Sequence, residues 1–292
     1  MRKEGSRLFD VLNYAILIAL CLSILYPLYY MLIISISDGQ AVGRGEVSFF
    51  PQGITFATYK VILDNPDFLM SYKNTFIYTI AGTLIAVCMT TLCAYPLSRS
   101  KFFGRTALTA IIIFTMFFEG GIIPSYMIVN GLGMVNTVWA ILIPPAISVW
   151  YMIIMRTFFQ QLPNELHESG YVDGANDLQI FLRIILPLSV PVLATMVLFY
   201  AVWHWNSFFP AMIYLNEKIK YPVQIIMRNM VIQGELSSTQ SAAAEANALG
   251  ANITGLNIKY AIIFATILPI LVVYPFIQKY FVKGMMIGSL KG

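Results

Sequence analysis

The run VLNYAILIALCLSILYPLYYMLIISI, residues 11–36, contains no charged side chain. At 1.5 Å per residue a helix of this length crosses a hydrocarbon core about 30 Å thick. Lipid offers backbone N–H and C=O groups no partner, so such runs must pair their backbone internally, as helices. Comparable runs at about 74–97, 106–130, 137–155, 188–214 and 260–281 predict six spans in an all-α integral membrane protein. Composition agrees: 58% of the chain is hydrophobic and 11% charged, against about a quarter charged in soluble domains. The first run is too long for a signal peptide and no small-x-small cleavage site follows it. Cys21, Cys88 and Cys93 all lie in apolar runs, are odd in number and lack ligand spacing, so neither a disulfide framework nor a metal site is expected.

The connections alternate in charge. Arg2, Lys3 and Arg7 precede the first span, and Arg99, Lys101 and Arg105 sit in SRSKFFGR between the second and third. Arg156 and Arg183 fall between the fourth and fifth, and Lys279, Lys283 and Lys291 come at or after the end. The opposite connections are longer in total and poorer in cations. Short loops rich in Lys and Arg stay in the cytoplasm, which predicts both termini inside. The sizeable outward segments are about 38–72, expected to pack as a small cap, and 215–259, small and polar near its end. Asn252-Ile253-Thr254 is a glycosylation sequon that reads as a chance match.

Charge gathers in one cytoplasmic stretch. ELHESGYVDGAND, residues 165–177, carries four carboxylates, a histidine and two glycines. Asn164 is placed to cap a short helix, with Glu165 and Glu168 near its positive end. Gly174 is placed to stop it in a left-handed conformation. Asn176 then starts a second helix, with Gln179 in capping-box position. Leu178, Phe181, Leu182 and Ile185 follow at helical spacing and predict one apolar stripe. Pro187 and Pro191 are expected to bend the return into the fifth span. Small residues Ser169 and Gly170 beside Glu168 would let another surface approach closely. The stretch, within a loop of about 157–187, reads as a docking knob.

Here the sequence resembles the type I permeases of ABC importers, whose cytoplasmic loop has the pattern E-A-A, three residues, G, nine residues, I-x-L-P. Glu168-Ser169-Gly170 stands at the triplet, Gly174 at the glycine, and Ile184-Ile185-Leu186-Pro187 at the end. Asp173-Gly174-Ala175 is similar to the form in carbohydrate importers. Ser169 and Gly170 replace the usual alanines; both are small, although Gly170 should loosen the helix by up to about 1 kcal/mol. The resemblance covers about 72–282 and implies a coupling helix seated in an ATPase subunit. It makes Glu168 the docking acid and Gly174 the break between two helical pieces.

Other features stay open between two readings. His167-Glu168 lacks the second histidine of a metalloprotease helix, since Tyr171 stands at that position. No G-x-x-x-x-G-K-[ST] occurs, so ATP is expected to bind a partner. Glu119, in TMFFEGGIIPSY, is either a pathway or pairing group or a locally satisfied carboxyl where Gly120, Gly121 and Pro124 interrupt the third span. Trp203, His204, Trp205 and Asn206 either line a sugar pathway, as their similarity to the W-N segment of sugar permeases implies, or form an interfacial belt. Gly284 and Gly288, in KYFVKGMMIGSLKG, resemble the glycine-rich tail of maltose-type permeases, which implies insertion between ATPase subunits; a frayed end is the competing reading.

The resemblance therefore implies a division into 1–71, a transmembrane domain 72–282 and a cytoplasmic tail 283–292. It implies a non-enzymatic permease in a bacterial inner membrane, importing an oligosaccharide derived from a complex polysaccharide, in some cases uronate-bearing, by alternating access. The expected partners are a second, non-identical permease, two ATPase subunits that bind ATP with magnesium, an extracellular solute-binding protein and membrane lipid. No cofactor is expected in this chain and no nucleic-acid partner. The rivals are a permease of the same class for another solute and an ion-coupled secondary transporter, which would show internal repeats and more intramembrane charge.

Overall fold

A computed structural model describes the backbone of residues 4–232, 243–244, 247–248 and 252–289. All regular structure among the described residues is helical. In chain order the helices are α1 (Glu4–Ser35), α2 (Gly39–Gly43), α3 (Ala57–Asp64), α4 (Pro66–Ser98), α5 (Arg105–Phe117), α6 (Ile122–Gly131), α7 (Trp139–Leu142) and α8 (Val149–Gln161). Then come α9 (Glu165–Val172), α10 (Asp177–Ile180), a π-helical turn over Phe181–Ile185, α11 (Leu186–Leu188), α12 (Val190–Asn206), α13 (Phe209–Tyr214), α14 (Val223–Ile232) and α15 (Gly255–Ser289).

Three of these helices carry unbroken segments long and apolar enough to cross a membrane: Phe9–Ser35, Pro66–Ser98 and Gly255–Pro275. Two further candidates are bent pairs, α5 with α6 at 117° and Asp177–Leu188 with α12 at 80°. The interruption expected at Glu119 is the first bend, where Gly121 takes φ +83°. The expected fourth span, 137–155, is divided into α7 and α8. Pro144 and Pro145 lie between them; neither has an N–H to donate, and each disfavours helix in the residue before it. The expected fifth span, 188–214, likewise stops at Asn206 and restarts as α13, with Pro210 in its first turn.

The chain divides into two compact units. The first comprises Met1–Leu69 and Ile226–Pro269. Its segment after α1 packs as the small cap the sequence suggests. Ile33, Ile34, Ala41, Val42 and Val47 form an apolar cluster, and the Asp38 N–H donates to the Gln52 carbonyl at 2.8 Å. Asn257 ties the start of α15 to the end of α1. Fully buried, it donates to the carbonyls of Ile34 at 2.8 Å and Ser37 at 2.9 Å, while its Oδ1 accepts from the Thr254 N–H and hydroxyl. Asn257→Ala strands both carbonyls, at about 1–3 kcal/mol each. A fluorescence melt of the detergent-solubilised protein should show a midpoint several degrees lower, and Asn257→Gln should not restore it.

The second unit comprises Met70–Ile225 and Ile270–Gly292. Its main core joins α4, α8, the π-helical turn and α12 through Ala86, Ala94, Met152, Met155, Ile180, Ile185 and Met196. Tyr200 fixes three of its segments at once. Its hydroxyl bonds Thr90 Oγ1 of α4 at 2.5 Å and accepts the Ser148 N–H, just before α8, at 3.0 Å. A smaller cluster gathers Tyr78, Ile141, Leu142, Ala211, Leu215 and Ile225. The Thr75 hydroxyl there accepts the Val223 N–H at 2.8 Å.

Candidate functional site

The acidic loop forms the expected helix, break and second helix, with two differences. Asn164 begins α9 through its backbone alone, because its own φ and ψ are helical and its side chain caps nothing. Its carbonyl accepts the N–H groups of His167 at 2.9 Å and Glu168 at 3.1 Å. Gly174 ends α9 at φ +77°. The Gly174 N–H reaches the Tyr171 carbonyl at 3.0 Å and the Ala175 N–H reaches Gly170 at 2.9 Å, the paired bonds of a Schellman stop. Asn176 and Gln179 complete the capping box that opens α10, and the Tyr171 hydroxyl donates to the Asp177 carboxylate across the break.

The second difference lies in the stripe. Phe181 and Ile185 are buried as expected, but Leu178 is 60% exposed and Leu182 52%, while Ile180 is wholly buried in their place. The cause is the π-helical turn over Phe181–Ile185. Its wider i to i+5 bonding rotates the side-chain register away from the α-helical spacing read from the sequence.

This register decides what the small residues do. Gly170 is buried against its own chain: a Cβ there would lie 2.8 Å from Ile180 Cγ1 and 3.0 Å from its Cδ1. Gly170 therefore serves the packing of α9 on the following helix, and does not offer close approach to another surface. Glu165, Glu168, Ser169, Tyr171, Val172 and Asp173 form the exposed face. Gly174 and Pro187 are exposed as well, whereas Ala175, Ile184 and Leu186 pack against the main core.

His167 seats α9, a role the sequence reading missed. It is buried and stacked on Tyr95 near the end of α4, with ring centroids 6.2 Å apart. Tyr95 in turn packs on Phe159 at 6.0 Å and Phe181 at 4.6 Å. Neither His167 ring nitrogen makes a hydrogen bond of good geometry among the described residues. Burial, and next the Arg99 guanidinium, push its pKa below the ordinary 6.5, with Asp177 and the Pro163 carbonyl pulling the other way. A base whose folded pKa is lowered contributes stability above its unfolded value, lost as pH falls from about 6.5 through the folded value. The wild type should lose more thermal stability than His167→Phe between pH 7 and pH 5.5. The difference between their melting curves, measured in one buffer series, checks this.

A second candidate region lies on α12 in the same unit. A cavity of about 890 Å³ is lined by Tyr151, Phe199, Trp203, Asn206, Phe208 and Tyr274, among others. Successive helical residues turn by about 100°, so four neighbours cannot share one face. Trp203 and Asn206 face the cavity. His204 and Trp205 are buried elsewhere, His204 over Gly82 and Trp205 edge-on to Phe76 at 5.2 Å. The signal for the cavity wall was the spacing of Phe199, Val202, Trp203 and Asn206. Tyr151 stacks on Phe199 at 5.4 Å, and the Asn206 amide nitrogen donates to the Val202 carbonyl at 2.8 Å. Flat ring faces with a few polar atoms suit the C–H faces and hydroxyls of a sugar ring. No lysine or arginine lines the cavity among the described residues.

Glu119 is exposed at the α5–α6 bend and is not among the residues that line the cavity on α12. Gly284 and Gly288 fall within the helical backbone of α15; their surroundings lie outside the described residues. Among those residues no group of three His, Cys, Asp or Glu side chains is placed to hold a metal.

Comparison with known proteins agrees with the residue pattern. Residues 75–287 match the family described as binding-protein-dependent transport system inner membrane component. The chain belongs to that family. It is 40% identical to Protein LplC of Bacillus subtilis (strain 168) over 289 residues, covering 99% of this chain and 97% of that one. It is 37% identical to the polygalacturonan/rhamnogalacturonan transport system permease protein YtcP of the same organism, covering 98% and 99%. Among solved structures it is similar to a chain of a bacterial ABC transporter involved in the import of the acidic polysaccharide alginate. The TM-score is 0.88 at 33% identity, over 96% of this chain and 99% of that chain. The helices thus have the type I ABC permease fold, and the chain is an importer permease.

Proposed function

We propose that this chain is one of two permease subunits of an ATP-driven importer of oligosaccharides released from acidic, uronate-bearing polysaccharides. The observation that carries the substrate class is the likeness, over nearly the whole chain, to a subunit of an alginate importer. The chain crosses the bacterial inner membrane six times with both termini in the cytoplasm. The bent pairs, and α7 with α8, each act as one crossing. A second, non-identical permease completes the pathway, an extracellular solute-binding protein delivers the sugar, and two ATPase subunits below hold ATP with magnesium.

In this reading α9 is the coupling helix. Its exposed face, centred on Glu168 and Ser169, docks in the ATPase, with Gly284 and Gly288 of the tail contacting the ATPase pair. Its buried face, through His167 on Tyr95 and Gly170 on Ile180, transmits the movement to α4 and to α10, which continues into α12. ATP-driven closure of the ATPase pair then opens the pathway outward, and hydrolysis resets it. The cavity on α12 grips sugar rings by stacking on Trp203. With no cation in its described lining, it reads ring faces and leaves the carboxylate to other groups.

Uptake of labelled oligogalacturonides by the reconstituted complex tests this reading. Trp203→Ala should raise the KM about tenfold, equivalent to about 1.4 kcal/mol, because the sugar loses the ring face it stacks on, while ATP-site mutations abolish uptake outright. Uptake of an amino acid or phosphate instead, or uptake without any ATPase subunit, would refute it.

A further inference from the structure

The turn joining α4 to α5 carries a polar recess that the transport reading does not use. A cavity of about 230 Å³ is lined by Ser98, Arg99, Ser100, Arg105, Gln160 and Asn164. Residues bearing two guanidinium groups, two hydroxyls and two side-chain amides thus line one small space, and its described lining holds no carboxylate. Neither Arg99 nor Arg105 forms an ion pair among the described residues. Arg99 has the Asp177 carboxylate near it only across the Tyr171 hydroxyl, so two guanidinium groups lining one confined recess favour an anion, and the planar guanidinium suits phosphate oxygens in particular.

The surroundings indicate what carries that anion. Between the two arginines lie Lys101, Phe102, Phe103 and Gly104. Gly104 takes φ +74°, which reverses the chain, and Phe103 is 96% exposed. The turn joins the end of one membrane-crossing candidate to the start of another, and in the six-crossing reading it lies at the cytoplasmic boundary of the membrane. Exposed rings at such a boundary enter the acyl region while nearby cations hold headgroups. A soluble anion would have no use for the phenylalanines; an amphiphile has use for both. We infer that the recess binds the phosphate of an anionic phospholipid headgroup, with Phe102 and Phe103 against its acyl chains. The site rests on the chain's embedding in a membrane, and not on which solute is carried.

The test is native mass spectrometry of the purified complex in detergent, titrated separately with dioctanoyl phosphatidylglycerol, dioctanoyl phosphatidylcholine and inorganic phosphate. The wild type should retain phosphatidylglycerol in preference to phosphatidylcholine. Arg99→Gln/Arg105→Gln should weaken that retention about tenfold or more, at about one surface charge's contribution per arginine. Arg99→Lys/Arg105→Lys should keep most of it, and Phe103→Ser should weaken it several-fold. If the double glutamine variant does not assemble, the single variants carry the same comparison, each expected to lose several-fold. Unchanged retention in the glutamine variants, equal retention of phosphatidylcholine, or saturation by inorganic phosphate at matched concentration would overturn the inference. So would a photo-cross-linker at position 103 that captures an ATPase subunit instead of lipid. Because the readout is bound lipid, failure of the oligosaccharide reading would appear in uptake and leave this result unaffected.

Discussion

A Gly174→Pro permease is expected to enter the membrane at normal abundance and to lose uptake about 100-fold. Position 174 sits at φ +77°, and its N–H bonds the Tyr171 carbonyl at 3.0 Å. Proline is held near φ −65° and has no N–H, so the helix stop loses both its conformation and a bond, at about 3 kcal/mol or more. That converts to roughly a hundredfold in the population of the docked arrangement. Gly174→Ala separates the causes. No atom lies within 4 Å of a Cβ built there, so alanine meets only the left-handed backbone cost of about 1–2 kcal/mol. Gly174→Asn, whose side chain tolerates that conformation, should come close to wild type. Uptake and ATPase activity measured in parallel check the series: the loss of coupling should grow from Asn through Ala to Pro. A proline variant that transports normally would show that the break has no part in coupling.

Gly82→Ala is the second large effect, and it reaches the aromatic cavity from behind. A Cβ at position 82 would stand 2.4 Å from His204 Cε1, 2.6 Å from Nε2 and 2.7 Å from Nδ1. His204 is only 4% exposed, so the ring has little room to withdraw. Overpacking of this kind costs about 1–3 kcal/mol, and here the displaced residue adjoins Trp203, a wall of the cavity. The variant should melt several degrees lower and show a raised KM for sugar with kcat less affected. Adding His204→Ala should restore much of both losses, because the clash then has no second partner. If Gly82→Ala and the double variant prove equally impaired, the contact does not govern the cavity.

What the sequence disclosed followed the range of the forces involved. Gly174 and the Asn176–Gln179 box were legible because a helix stop and a capping box are local backbone chemistry. The apolar runs at 11–36 and 74–97 were legible because lipid demands length and little else. The stripe after Asn176 was half misread, since a π-helical turn changes the angular step and nothing in FLRII announces it. The tract 137–155 read as one span because hydropathy averages over Pro144 and Pro145, where the backbone breaks. The WHWN turn was identified as aromatic but taken as one unit: Gly82, far off in the chain, makes the room into which His204 turns, away from the cavity that Trp203 and Asn206 line. Gly170 was read as open to a partner for the same reason, since only the tertiary fold brings Ile180 against it.

The account stands on the acidic loop being the surface that a separate ATPase grips, and photo-cross-linking in intact membranes tests this most directly. With the complete transporter expressed and benzoylphenylalanine placed at exposed position 168, irradiation should join this chain to the ATPase subunit. The yield should change when ATP hydrolysis is arrested with vanadate. An adduct only with the solute-binding protein, or none with the ATPase while position 168 reacts with impermeant reagents added outside the cell, would contradict it.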